Sequence, residues 1–103
     1  MRLTIIPSDG AVYKDSQSHS GLDLSFCPSN VHALQWYENY GEIEYKRQFV
    51  DGQIIHPQNE LISSLPEWAT NSLAIWETEE LKRLEVERLA AEAQLLADQN
   101  GSV

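Results

Sequence analysis

The first half of the chain alternates apolar and polar residues in short runs broken by turn formers, while the second half carries a long Ala/Leu/Glu-rich stretch without breakers. Alternation with period two marks half-buried strands, and an unbroken run of good helix formers marks a helix. Leu3-Thr4-Ile5-Ile6, bounded by Pro7, reads as a short edge strand; Ser8-Asp9-Gly10 supplies the turn into a returning strand over Ala11-Val12-Tyr13. Asp15 to Ser20 is polar and reads as a loop. Gly21-Leu22-Asp23-Leu24-Ser25-Phe26 alternates and predicts a further strand, ended by Pro28-Ser29-Asn30. The clearest hairpin joins Val31–Tyr37 to Glu42–Phe49 through Glu38-Asn39-Tyr40-Gly41. In its second strand Ile43 and Tyr45 share one face, extended by Phe49, and Glu42, Glu44 and Lys46 point to water. Asp51-Gly52 turns toward a short strand at Gln53-Ile54-Ile55, and His56 to Ser64 connects onward with room for a helical turn around Glu60-Leu61-Ile62.

From Pro66 to Asp98 there is neither Gly nor a second Pro, which predicts one helix of roughly 45–50 Å at 1.5 Å per residue. Pro66 is tolerated in a first turn, and Glu67 suits the positive end of the helix dipole. The expected architecture is therefore α+β: a small antiparallel β-domain over 1–57, a connector over 58–65, one long C-terminal helix over 66–98, and a frayed tail over 99–103, past which Gly101 stops the helix. The apolar positions of that helix do not form one stripe. Leu73, Leu81, Leu84, Ala91 and Leu95 fall on one side, Trp68, Ile75, Val86, Leu89, Ala93 and Leu96 on nearly the opposite side, with Trp76 between. A helix resting on one sheet needs one such face, so the second must meet something else. Trp68, Leu73, Ile75 and Trp76 are expected to cap the β-domain, and the segment after Glu80 to meet a partner. There Leu81, Leu84, Arg88, Ala91 and Leu95 keep the 3-4 spacing of a short coiled-coil seam.

Charge narrows the partner. With 16 acidic against 7 basic side chains the net charge is −9. Such a surface repels phosphate, and Lys46-Arg47 and Lys82-Arg83 are the only adjacent basic pairs, so neither nucleic acid nor an anionic membrane is expected as a partner. A single cysteine, Cys27, makes no internal disulfide; no stretch has the run of about 20 apolar residues a membrane span needs, and the chain reads as soluble and unprocessed.

Catalytic chemistry is not signalled. His19, His32 and His56 are far apart and none has the spacing of a helical ligand pair; Cys27 with His32 is the only combination that could start a metal site. There is no nucleophile elbow and no glycine-rich phosphate loop, and the carboxylates of Glu42/Glu44 and Glu77/Glu79/Glu80 read as a solvated face. No catalytic residue, cofactor or metal is assigned, and the chain is not expected to be an enzyme. The exposed aromatics Tyr37 and Tyr40, near the turn of the central hairpin, are candidates for contact with another protein.

Three stretches carry a family likeness: Ile5-Ile6-Pro7-Ser8-Asp9-Gly10-Ala11-Val12-Tyr13-Lys14-Asp15, Ser20-Gly21-Leu22-Asp23-Leu24 and Asn30-Val31-His32-Ala33-Leu34-Gln35-Trp36. With Leu65-Pro66-Glu67-Trp68-Ala69, Trp76-Glu77 and the charged Ala-rich helix after them, they cover most of the chain. The whole resembles small proteins encoded in tailed-bacteriophage tail modules, and more loosely tail-fibre assembly proteins. The Tyr-rich Gln35–Gly41 segment and the Lys46-Arg47 pair depart from that pattern. The resemblance implies an assembly chaperone that binds the fibre protein through its C-terminal helix and is retained in the virion or released. The alternative it implies is a permanent structural subunit of the tail fibre or baseplate. Either acts in the host cytoplasm during assembly or in the virion tail, with self-association through the same helix as a further outcome. The residues expected at the partner surface are Trp76, Leu81, Leu84, Leu89, Leu95 and Leu96, with Tyr37 and Tyr40.

Overall fold

Eight short strands and one long helix make up residues 1–100, the part of the chain described by a computed structural model. Of the tail expected to fray over 99–103, residues 99–100 are instead the last of the helix, which runs to Asn100; the rest of that tail, with the expected stop at Gly101, lies outside the described residues. The strands are β1 (Arg2–Ile6), β2 (Ala11–Lys14), β3 (Gln17–His19), β4 (Val31–Tyr37), β5 (Gly41–Tyr45), β6 (Gln48–Val50), β7 (Gln53–Ile55) and β8 (Glu60–Ile62), followed by helix α1 (Glu67–Asn100). Six of them form an antiparallel sheet in the order β3-β2-β1-β4-β5-β8, and β6 and β7 pair separately. The molecule is thus α+β, an antiparallel sheet followed by a single long helix.

The first hairpin forms as expected, but β1 is not the edge strand that Pro7 suggested: it lies inside the sheet, paired with β2 on one side and β4 on the other. Pro7–Asp9 makes a short 3₁₀ turn, and Gly10 follows at φ 59° with its amide on the Pro7 carbonyl. A Cβ at Gly10 would stand 2.5 Å from the Leu22 carbonyl oxygen, so this site needs glycine for both its backbone angle and its crowding. The central hairpin also forms, with Leu34 opposite Ile43 and Trp36 opposite Gly41. Gly41 leaves the room that the Trp36 ring fills, since a Cβ there would lie 2.9 Å from the indole. Leu3, Ile5, Val12, Leu34, Trp36 and Ile43 gather with Leu24 and Cys27 from the coil, and with Ala69 and Trp76 from α1, into one apolar core. Burying such side chains supplies about 1.5–3 kcal/mol each, the largest favourable contribution available to so small a sheet.

Four further local expectations give way. Residues 21–26 are not a strand: Asp23 Oδ1 accepts from the Ser25 amide (3.1 Å) and hydroxyl (2.6 Å), and this side-chain turn takes the backbone out of line. The alternation still has meaning, because Leu24 is buried and Leu22 packs against the core. Residues 17–19, expected in a loop, are strand β3, turned back onto β2 at Asp15-Ser16 with Asp15 at φ 54°. Glu60–Ile62, expected as a connector with a helical turn, is instead β8, paired to the outer edge of β5, where Tyr45 donates its hydroxyl proton to Glu60 (2.9 Å). An open backbone edge on β5 outweighs the weak helical preference of three residues. Finally, Ile43 and Tyr45 do face the core, but Phe49 leaves that face for the β6–β7 hairpin, where it is exposed.

Candidate protein-docking site

Helix α1 meets the sheet only near its start, across β2 and β3. The contact stripe is Ala69, Ser72 and Trp76, spaced three and four residues apart, all buried. Ala69 lets the helix lie close. Ser72 satisfies its hydroxyl by donating to the Trp68 carbonyl (2.8 Å), and Cys27 Sγ lies 3.4 Å from it. Burial pushes the Cys27 thiol up, so it is a packing residue; His32, its one imagined metal partner, is exposed on β4. Trp76 donates its indole proton to the Gln17 carbonyl (3.2 Å), with the His19 ring edge-on at 5.7 Å and Lys14 Nζ 5.0 Å from its centre. Trp68, Leu73 and Ile75 flank the stripe half-buried and cap the β-domain as expected.

One turn further on, the joint ends in a polar clamp. His19 Nε2 donates to Glu80 Oε2 (2.8 Å), and Arg83 bonds the other oxygen of the same carboxylate. The Arg83 hydrogen bond, aided by that from His19, holds Glu80 below the usual glutamate range against the opposing effect of burial. This geometry corrects one expectation: Trp76, counted among the partner-contact residues, is only 7% exposed and is occupied by the sheet. The stripe facing the sheet also lies between the two apolar sides anticipated for the helix, so neither side is used up in docking.

Past this clamp α1 has no sheet beneath it. The molecule is 76 Å long and 30 Å across because the helix runs off the β3 edge. Leu81, Leu84, Val86, Leu89, Leu95 and Leu96 are between 47% and 69% exposed. By helical geometry Leu81, Leu84, Ala91 and Leu95 line one flank, and Val86, Leu89, Ala93 and Leu96 the other. The structure therefore brings together Leu81, Leu84 and Leu95 on one side and Leu89 and Leu96 on another, all on the free part of the helix. Ion pairs run along it: Arg83 joins Glu80 and Glu87, Arg88 joins Glu85 and Glu92, and Lys82 lies 3.1 Å from Glu79. Pairs at this spacing contribute about 0.2–0.5 kcal/mol each to helix formation. They support a helix that tertiary packing does not.

Tyr37 and Tyr40 lie apart from this helix, at the turn end of the central hairpin. Their rings are 5.3 Å apart, the Arg2 guanidinium lies 4.3 Å above Tyr37, and only Tyr40 is widely exposed. A second apolar surface was missed by sequence reasoning. The β6–β7 hairpin carries Phe49, Val50, Ile54 and Ile55 exposed on its two faces, and Leu61 on the adjoining edge strand β8 is 74% exposed. Its signal was the Asp51-Gly52 turn between two apolar pairs, which identifies a hairpin but not whether anything covers it.

Among the described residues no three metal-ligating side chains converge, and no helix is long and apolar enough to cross a membrane. An open groove of about 490 Å³ runs between β3 and α1, lined by Gln17, His19, Arg83 and Val86 among others. The chain matches no family model, no curated protein and no solved structure.

Proposed function

We propose that this chain is a non-catalytic protein-docking subunit whose free helical segment, from Leu81 onward, binds another protein. The carrying observation is the row of large aliphatic side chains, Leu81, Leu84, Leu89, Leu95 and Leu96, left in water on a helix already held in shape by its own ion pairs. Exposed apolar surface of this extent costs solubility and stability unless a partner covers it. The likeness to tail-module proteins makes the partner a phage tail-fibre or baseplate protein and the role that of a fibre assembly chaperone, acting in the host cytoplasm and retained in the virion if its complex outlasts assembly.

Copurification with phage tail-fibre and baseplate proteins tests this. Leu84→Asp combined with Leu95→Asp should abolish the complex and leave the β-domain folded; a complex that survives the double change sinks the helix-docking reading and moves attention to the β6–β7 hairpin. Mass spectrometry of purified particles then separates the two roles. A fixed copy number in particles indicates a permanent structural subunit or a retained chaperone, and absence from particles alongside a soluble complex indicates a transient one.

A further inference from the structure

Resting on that docking role, we infer that the Leu81–Leu95 flank takes a helix of another protein whose own apolar seam is bordered by Lys or Arg, and not a second copy of this chain. Leu81, Leu84, Arg88, Ala91 and Leu95 occupy alternating a and d positions of a heptad. The bordering positions are then Glu80 and Glu87 on one side, and Glu85 and Glu92 on the other. Glu80 is taken up by its clamp with His19, so the exposed borders are Glu87, Glu85 and Glu92; in a parallel pair of copies Glu87 would face Glu92. In an antiparallel pair each glutamate row would face itself. Like charges at these positions oppose pairing and set partner choice.

The intrahelical arginines reduce this negative charge without removing it. Arg83 bridges Glu80 and Glu87, and Arg88 bridges Glu85 and Glu92; each guanidinium thus serves two carboxylates, and of the four only Glu80 has a further partner, His19. Arg88 stands in the seam itself, yet all its bonds go to Glu85 and Glu92. Its head is thereby drawn onto the acidic row, and its aliphatic stem is left among the leucines. A partner with basic borders supplies the missing cation to each row and covers the leucines at the same time. The opposite flank differs. Val86, Leu89, Ala93 and Leu96 are bordered by Ala90 and Ala97 on one side, so no such selectivity is built there.

The test uses the full chain and two designed helical peptides of about four heptads, with Leu at every a and d position and either Lys or Glu at every e and g position. Fluorescence anisotropy should show the Lys-bordered peptide binding at least about tenfold more tightly than the Glu-bordered one, a difference of about 1.4 kcal/mol. Salt should weaken that binding, and Leu84→Asp with Leu95→Asp should remove it. Equal binding of both peptides overturns the inference. So does undiminished binding of the Lys peptide to the double variant, which would be plain attraction to an acidic protein. Light scattering of the chain alone should report a monomer; a stable dimer dissolved by the same two substitutions would make a second copy the occupant and overturn the inference too. The two readings fail separately. If a tail protein is captured through Leu84 and Leu95 but the peptides are not distinguished, docking stands and the charge rule falls.

Discussion

The docked and the free parts of α1 share Leu, Ala and Glu, but only the docked part carries aromatics, Trp68 and Trp76, and the two differ in what their spacing gives to the sheet. From Glu67 to Glu80, Ala69, Ser72 and Trp76 form one narrow buried stripe, and the large residues beside it are half-covered. From Leu81 to Asn100, Arg83, Glu87, Ala90 and Gln94 continue the same stripe, and the leucines move to the two flanks. A helix packs where small and aromatic residues keep to one line, and stands free where that line turns polar. Apolar content alone does not separate the two parts.

Mutation should expose the contrast. Trp76→Ala removes the main side chain joining helix to sheet, and should cost about 3–5 kcal/mol in urea unfolding. A cost below 1 kcal/mol would mean that the joint is dispensable and the two parts do not differ. Gly41→Ala, which drives a methyl group to 2.5 Å from the Gln35 carbonyl oxygen and 2.9 Å from the Trp36 ring, should cost about 1–3 kcal/mol without altering partner binding. Acid should act on the joint as well. Glu80 is held below its ordinary value of 4.5, so its contribution is complete above that value and is lost as the pH falls through the lowered one. Unfolding midpoints measured from neutral pH downward should therefore drop over that window, and Glu80→Gln should flatten the drop. Last, Leu89→Ala should change stability by no more than about 0.5 kcal/mol. A loss as large as that of Trp76→Ala would show that Leu89 is packed in the isolated protein, and the division of the helix would collapse.

Much of this architecture is legible in the residues themselves. The Ile5-Ile6-Pro7 to Val12 hairpin and the Val31–Tyr45 hairpin declare themselves by alternation and turn chemistry, and the helix by the absence of breakers after Pro66. What stays hidden depends on tertiary edges. Gln17-Ser18-His19 has no apolar pattern because it is an edge strand whose inner residues meet Trp76 and Glu80 through polar atoms. Glu60-Leu61-Ile62 becomes a strand because β5 offers an open edge, a fact no local window contains. For the same reason Trp76 reads equally well as a core or a contact residue: its placement turns on β3. The exposed leucines were legible, since a 3.6-residue period shows them on two sides whatever the first turns do.

The helix that overhangs the sheet also sets a distance. From Leu81 to Asn100 it extends about 30 Å at 1.5 Å per residue, held straight by ion pairs instead of by contact. Leu95 stands about 22 Å along the helix from the Glu80 contact with β3, while the β6–β7 hairpin leaves from the opposite side of the sheet, between β5 and β8. The two exposed apolar surfaces, the free helix and the β6–β7 hairpin, thus belong to opposite edges of one sheet, and the fold itself keeps them apart.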